Sequence, residues 1–551
     1  MPFKSPLPPV PLETQPYGER MLDVLWRHGA ANPTKKAMIC AENPQFSVTY
    51  HELYHGSLSV AAFLETQGFK KGDVLLTVLP NSWEMFEVTI GAALRGIIVT
   101  GVSMLFTEYE TRKQIQDSGA IIIFCSDDRL ELVSKAIKNI DHVKKLVVAQ
   151  LSDRTKQLPT NLPTGITRFE DVLATKPGEP FAAVKIDVKQ DVLLLPYSSG
   201  TTGPRKGVMI SHELFSTMIT TISSHFKKNM YPYLNPHREV ASEHILLDLP
   251  ISHIYGGAML QKAMLLGQTA VLMQNYEEHC YLRSIQNFKV HFLFLKPTVI
   301  VMLANSPNVD KYDLSSVEGG LSSGAPASVD ICYKALKRLP NLKRIDQGYG
   351  MTETSGACTL PIIDKTNPVT TYSGVISPNY EMKLVDSESR EVPFGESGEL
   401  LLRAPAMMLG YLGRLEATAN AFADGWFKTG DIARIDENGL VYIVGRLKEM
   451  IKSQSLQVSP TELEDVLHSH PEIADAGVIG IPWNDSDEAP FAFIVRKNNN
   501  LSKEEINKFV NGKVAEYKRL RGGIKFVDAI PKSDAGKILR NVLKEMHDNG
   551  K

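Results

Sequence analysis

The chain has 551 residues, 43% of them hydrophobic and 22% charged, the make-up of a folded protein of two to four domains, which excludes disorder over most of its length. Its 60 Lys and Arg against 62 Asp and Glu leave a formal net charge of −2, without the basic excess that holding nucleic acid requires, although a nucleotide ligand needs only a few local groups. Five widely spaced cysteines with no C-x-x-C pair argue against a disulfide framework or a cysteine metal site and for a reducing compartment. The proline-rich N-terminus lacks the apolar core of a secretory leader, and Asp548–Lys551 is not an S-K-L type ending, so the cytoplasm is the expected location and the peroxisome the alternative.

Residues 1–16 hold six prolines and predict an extended arm. Thr49–Gln67 carries Leu53, Leu58, Ala61 and Leu64 at helical spacing, and Gly68 stands where a C-cap would end the helix. Asp73–Leu79, Ala120–Cys125 and Lys145–Ala149 are short apolar runs that predict buried strands. Ile90–Phe106 is the longest candidate for a membrane span, but Arg95, Gly91, Gly96 and Gly101 interrupt it, and it predicts a buried helix followed by a strand. Helices between apolar strands imply βαβ units and parallel sheet. A second block repeats the pattern, with strands at Val192–Leu195, His244–Leu249, Thr269–Leu272 and His291–Leu295 and helices over 210–224 and 256–266. From 370 to 445, short runs broken by Gly, Pro and charged turns predict a small antiparallel β unit. In the last hundred residues Ser459–Glu462 and Ser502–Glu505 read as capping boxes, and Ala476–Ile481, Phe491–Val495 and Ile524–Val527 as strands. The expected boundary follows a hairpin at Asn438–Gly439: a body of residues 1–445, a hinge at 446–448 and a unit of 449–551.

The segment Tyr197–Gly207 is dense in chemistry: Ser198, Ser199, Gly200, Thr201, Thr202, Gly203 and Lys206 combine tight-turning glycines, hydroxyl donors and an ammonium, the set that cradles phosphate. It follows a predicted strand and precedes a predicted helix, and it is not a Walker A sequence. It resembles the phosphate loop of the adenylate-forming superfamily, which includes acyl-CoA synthetases, 4-coumarate–CoA ligases and luciferases. Five further segments are similar to that family's motifs, in the same order: Leu249–Gly256, Ser322–Pro326, Gln347–Glu353, Gly425–Asp431 with Gly445–Lys452, and Pro531–Arg540.

The resemblance implies an α/β fold with two βαβ-type sheet subdomains, a small β-barrel-like subdomain and a small mobile α+β C-terminal domain. It implies an ATP-dependent acid–thiol ligase that converts a hydrophobic acid, aryl or medium to long aliphatic, through an acyl adenylate to acyl-CoA, releasing AMP and pyrophosphate. ATP, Mg²⁺ and coenzyme A are the implied cofactor and co-substrates, with no nucleic acid partner. Joining a carboxylate to the α-phosphate brings two anions together, so a cation must sit where charge develops, and the resemblance gives Lys537 that place. It gives Thr201, Thr202 and Lys206 the departing phosphates, Thr352 the α-phosphate, Glu353 the Mg²⁺, Tyr349 the adenine face, and Asp431 and Arg446 the ribose. Gly324, Ala325, Gln347, Gly348 and Gly350 belong to the same nucleotide motifs. His253, Tyr255, Met259, Leu321, Ser323 and Gly324 form the acid's pocket. His253 stands near where amino-acid-activating domains carry an aspartate for the substrate's ammonium, so an acid without an α-amine fits better. The C-terminal domain would turn about Lys448, withdrawing Lys537 and presenting Lys452 and the loop up to Gln457 to the thiol. Ser455 stands where relatives have glycine in the pantetheine tunnel, and Gln454 where many have lysine, which keeps a carrier-protein thiol or another nucleophile open as the acceptor and, as a further reading, a non-catalytic acyl or nucleotide binder.

His468 and His470 are read as a helix end rather than as metal ligands, since no third ligand lies nearby.

Overall fold

The structure is a computed structural model that describes residues 2–159, 162–178, 184–198, 205–453, 456–484, 487–498, 500–533 and 536–549. The apolar runs of the first half assemble into a nine-stranded sheet in the order 197–198, 206–211, 192–194, 98–101, 74–78, 122–126, 145–149 and 166–168, with 410–411 added on 206–211. From 192–194 to 166–168 every pairing is parallel, and these strands are buried among helices. Ile90–Phe106 contains the end of the buried helix Trp83–Leu94 and the strand Ile98–Gly101, and no described helix is long and apolar enough to cross a membrane.

The second block is built of a four-stranded sheet, 244–247, 269–272, 36–40 and 47–49, and a parallel three-stranded sheet, 292–295, 319–322 and 344–347. The chain does not fill its two sheets in sequence. The strand 36–40 crosses to pair with 269–272, and Val192–Leu194, expected in the second block, pairs with Ile98–Gly101 in the first. A second correction concerns the glycine-rich segment. Lys206–Ser211 is a strand, antiparallel to Tyr197–Ser198, so the segment is the tip of a hairpin and not a strand-to-helix turn. The helix expected from 210 begins at His212, where the Ser211 hydroxyl caps it by accepting from the Leu214 N–H at 3.2 Å.

Residues 375–446 contain the antiparallel unit, a six-stranded sheet whose longest member, Trp426–Ile435, turns at Asn438–Gly439 into Val441–Arg446. Gly439 takes φ of +77° there, which glycine adopts at no steric cost. The proline-rich arm is extended, and Phe3–Lys4 adds an edge strand to this sheet.

Beyond residue 450 the chain builds its own core, with Ile451, Val458, Leu463, Ala476, Ile494 and Ile506 buried around the sheet 473–484, 487–496 and 523–526. The Ser502 capping box forms, with the Glu505 carboxylate accepting from the Ser502 N–H at 2.9 Å. The one expected at Ser459 does not. Pro460 occupies the first helical turn, but the Ser459 hydroxyl donates to the Val444 carbonyl at 2.6 Å, tying the start of this helix to the strand before the boundary.

Candidate functional site

A cavity of about 920 Å³ opens between the body and the C-terminal unit. Its lining brings together segments far apart in sequence: Ser198, Lys206, His253, Tyr255, Met259, Leu321, Ser323, Gly324, Gly348, Tyr349, Gly350, Thr352, Glu353, Arg446, Lys448 and Lys537 all reach it.

The sheet strands end at its rim. The strand 319–322 leads into a loop in which Gly324 has φ of +89°, a backbone conformation that a side chain would strain. The Ser323 hydroxyl donates to the Gly348 carbonyl at 3.0 Å and the Gly348 N–H to the Ser322 carbonyl at 2.9 Å, so the two nucleotide-type loops are laced together. Gln347 does not line the cavity. Its amide donates to the carbonyls of Thr370 and Ala327, at 3.0 and 3.3 Å, and accepts from the Ala327 N–H at 3.3 Å, so it braces the 322–327 loop from behind. Ala325 also lies off the lining.

One wall is a charged network. Tyr349 donates its hydroxyl to Asp431 at 2.5 Å, and the Arg446 guanidinium meets the other Asp431 oxygen at 2.7 Å. Asp431 is itself buried, behind Tyr349 and Arg446, and burial raises its pKa against the opposing pull of Arg446, Tyr349 and Lys537. Burial works against the Arg446 cation, but Asp431, Tyr349, Glu449 and Glu353 hold its pKa above the ordinary value. Glu353 is buried at the rim, where Tyr411 donates to its Oε1 at 2.9 Å, and the Lys206 ammonium stands 4.9 Å from the centre of the Tyr411 ring.

Lys537 comes from the C-terminal unit. The turn that carries it is closed by the Gly536 and Ser533 N–H groups, which donate to Ser533 and Lys537 carbonyls at 2.7 and 2.8 Å. Gly536 faces Lys296, Pro297 and Thr298 of the body, which a Cβ there would meet at 3.8–3.9 Å. Arg540 anchors the turn's far end through Glu449 at 2.9 Å and both Glu464 oxygens at 2.7 Å. Burial and the neighbouring Arg446 lower the Lys537 pKa, with Glu449 and Asp431 acting the other way.

At the opposite wall His253 caps the helix Ile254–Leu265, its Nδ1 accepting from the Tyr255 N–H at 3.2 Å. Tyr255 donates its hydroxyl to the Leu321 carbonyl at 3.0 Å. Beyond them the lining is apolar: Ile222, Phe226, Ala258, Met259, Leu321 and Leu360.

Some expected residues lie elsewhere. Ser199, Gly200, Thr201, Thr202 and Gly203 fall outside the described residues, as do Gln454 and Ser455 and the side chain of Gln457. Lys452 is exposed on the strand Ile451–Ser453 and does not line the cavity. Tyr411, Ile222 and Phe226 were not anticipated, because nothing in their local sequence distinguishes them from packing residues. Among the described residues no group of three or more His, Cys, Asp or Glu side chains could hold a metal ion; His468 instead meets Asp475 at 3.2 Å. The five cysteines are buried and unpaired.

Residues 25–412 match the family model of the AMP-binding enzymes, and residues 462–537 that of the AMP-binding enzyme C-terminal domain. The chain belongs to the AMP-binding enzyme family. Within it, 520 residues are 36% identical to 4-coumarate–CoA ligase 2 of Nicotiana tabacum, covering 93% of this chain and 91% of that one. A probable CoA ligase of Humulus lupulus is 35% identical over 90% of this chain and 87% of its own, and acyl-CoA synthetase 7 of Caenorhabditis elegans 33% over 96% of both. Among solved structures, an anthranilate–CoA ligase bound to anthranoyl-AMP superposes with a TM-score of 0.85 at 25% identity, covering 99% of this chain and 98% of that one. This AMP-binding enzyme is of the AMP-forming acid–thiol ligase class, with the family's division into a large N-terminal domain and a small C-terminal one.

Proposed function

We propose that this enzyme joins an apolar carboxylic acid without an α-amine to the α-phosphate of ATP, releases pyrophosphate, and passes the acyl group from the adenylate to the thiol of coenzyme A. The observation that carries the reading is the placement of Lys537: a cation from the C-terminal unit enters the same cavity as Thr352, Glu353 and the Tyr349–Asp431–Arg446 network. There it would bridge the substrate carboxylate and the α-phosphate as both approach, and stabilise the charge that builds between them. Asp431 would accept from the ribose hydroxyls, with Arg446 and Tyr349 fixing its orientation. Lys206 and the hydroxyls of the 198–203 loop would hold the β- and γ-phosphates. Glu353 suits Mg²⁺, which takes one or two carboxylates and fills its remaining positions with phosphate oxygens and water: one Glu353 oxygen is held by Tyr411, and no cluster of acidic ligands surrounds it. The metal would neutralise phosphate charge.

For the second step we infer a hinge at residues 446–448, between a domain of 1–445 and one of 449–551. Turning about Lys448 would withdraw Lys537 and bring Lys452 and Gln457 towards the thiol. His253, at the mouth of the apolar end, would border the path of the acyl carbon. The Ser455 in the expected tunnel supports a second reading, transfer to a carrier-protein thiol.

A panel of carboxylic acids tests both, with pyrophosphate release and product masses read with and without coenzyme A. Acyl-CoA and AMP formed together uphold the ligase. Acyl-AMP that accumulates despite coenzyme A moves the acceptor to a carrier protein, and a panel without nucleotide turnover leaves only a binder.

A further inference from the structure

The apolar end of the cavity closes on an unusual group. Along the helix Ile254–Leu265, Tyr255, Ala258 and Met259 line the cavity, and the next residue on the same stripe, at helical spacing, is Lys262. Its side chain is fully buried. The Lys262 ammonium donates to the Tyr231 hydroxyl at 2.5 Å and sits 4.9, 5.0 and 4.8 Å from the ring centres of Phe226, Tyr231 and Phe294. Among the described residues it has no carboxylate partner of its own. Glu243, the acidic group it feels, is held by Arg238 at 3.1 Å and His291 at 2.9 Å.

Phe226 stands between this cage and the cavity. It lines the cavity with Ile222, one turn earlier on the facing helix, and begins a π-helical turn, Phe226–Met230. Phe292 packs edge-on against it at 5.3 Å and Tyr231 at 5.6 Å. A buried cation without a counter-ion is costly, and aromatic faces compensate only part of that cost.

Resting on the ligase reading above, we propose that Phe226 and Lys262 set the far end of the acyl subsite. Phe226 stops the acid's tail, and Lys262 fixes that ring and makes the space behind it one that an oxygen-bearing tail can enter and a hydrocarbon tail cannot. A methyl-ended chain pushed past the ring would seal the ammonium from water without offering it a hydrogen bond, whereas a distal carboxylate would give it the missing ion pair.

The test uses the full-length enzyme and pyrophosphate release with length series of straight-chain and para-substituted aryl acids, each ending in methyl or in carboxyl. Wild type should lose kcat/KM abruptly above one length in both series. Phe226→Ala should carry that limit outward by about two to four carbons, with a gain of ~10-fold or more for the longer carboxyl-ended acids, the scale on which pocket contacts discriminate. Adding Lys262→Met to it should reverse the preference, so that the longer methyl-ended acids become the better substrates. A limit that stays put in Phe226→Ala, or a carboxyl preference that survives in the double variant, overturns the proposal. Thermal unfolding checks that each variant is folded. If Phe226→Ala is not, Phe226→Val should shift the limit in the same direction by less, and no shift there counts against the proposal. Wild type that releases pyrophosphate with no acid sinks the ligase reading itself; wild type that is active but whose limit Phe226→Ala leaves unmoved sinks only this inference.

Discussion

The two ends of the cavity handle buried charge in opposite ways. At the nucleotide end Asp431 meets Arg446 and Tyr349, Glu353 meets Tyr411, and Arg540 meets Glu449 and Glu464. At the acyl end a single lysine is walled in by rings and has one hydroxyl to donate to. The first arrangement is a network whose members orient one another before substrate arrives, which is what stabilising a developing charge demands. The second stores an unpaired cation, at a cost in stability that only a role in selection would repay.

The largest expected effect comes from the group that joins the network only through the C-terminal unit. Lys537→Ala should lower the rate of adenylate formation by ~10²–10³-fold, while leaving hydrolysis-free transfer from a supplied acyl adenylate to coenzyme A near the wild-type rate. Rapid-quench measurement of each half-reaction separates the two, and equal loss in both would count against a domain that turns between steps. Asp431→Asn comes next. It keeps the shape but removes the carboxylate that Arg446 and Tyr349 share, so the KM for ATP should rise by ~10–100-fold, the scale of one lost charged hydrogen bond. The acid's KM should move little, since the apolar lining is untouched.

At the other end the sign is reversed. Lys262→Met should stabilise the fold by roughly 1–4 kcal/mol, as replacement of buried charge by an apolar side chain of similar volume does. Burial lowers the Lys262 pKa from 10.5 to about 7. Between those two values the unfolded chain binds a proton that the folded chain does not, so stability rises with pH through that window, and the penalty is complete below it. The gain from Lys262→Met should therefore be largest at or below pH 7 and shrink towards pH 10. Denaturant titrations at several pH values check this, and a gain independent of pH would mean that the lysine is neutral throughout.

The same contrast marks what the sequence could reveal. Apolar runs such as Lys145–Ala149 and Thr269–Leu272 became strands at the residues read, because a strand buried on both faces has no polar alternation to blur it. The glycine and hydroxyl motifs of the nucleotide end were legible because small residues that let backbone approach a phosphate stand out against ordinary composition. Lys206–Ser211 was lost to the following helix, since its pairing with Tyr197–Ser198 and with Tyr411 depends on contacts that no local pattern announces. The acyl end was the least legible. Phe226 and Lys262 sit in helical stretches that look like core, and only folding brings the rings of Phe226, Tyr231 and Phe294 around the ammonium.

The smallest expected effect lies at the boundary between the two domains. Ser459 reads as a helix cap, yet its hydroxyl reaches back to the Val444 carbonyl, across the residues proposed as the hinge. A cap serves its own helix in every orientation of the C-terminal domain, whereas this bond exists only in the orientation that places Lys537 in the cavity, if the domain turns at 446–448. Ser459→Ala removes one hydrogen bond worth ~1 kcal/mol, so it should weaken that orientation by about fivefold relative to the other. Adenylate formation should slow by at most that factor, and transfer from a supplied adenylate should hold or quicken. A substitution that harmed only the helix would instead raise amide exchange across Pro460–His468 and slow both half-reactions together. Hydrogen exchange of that helix, read beside the two rates, decides between a local cap and a latch on the domain.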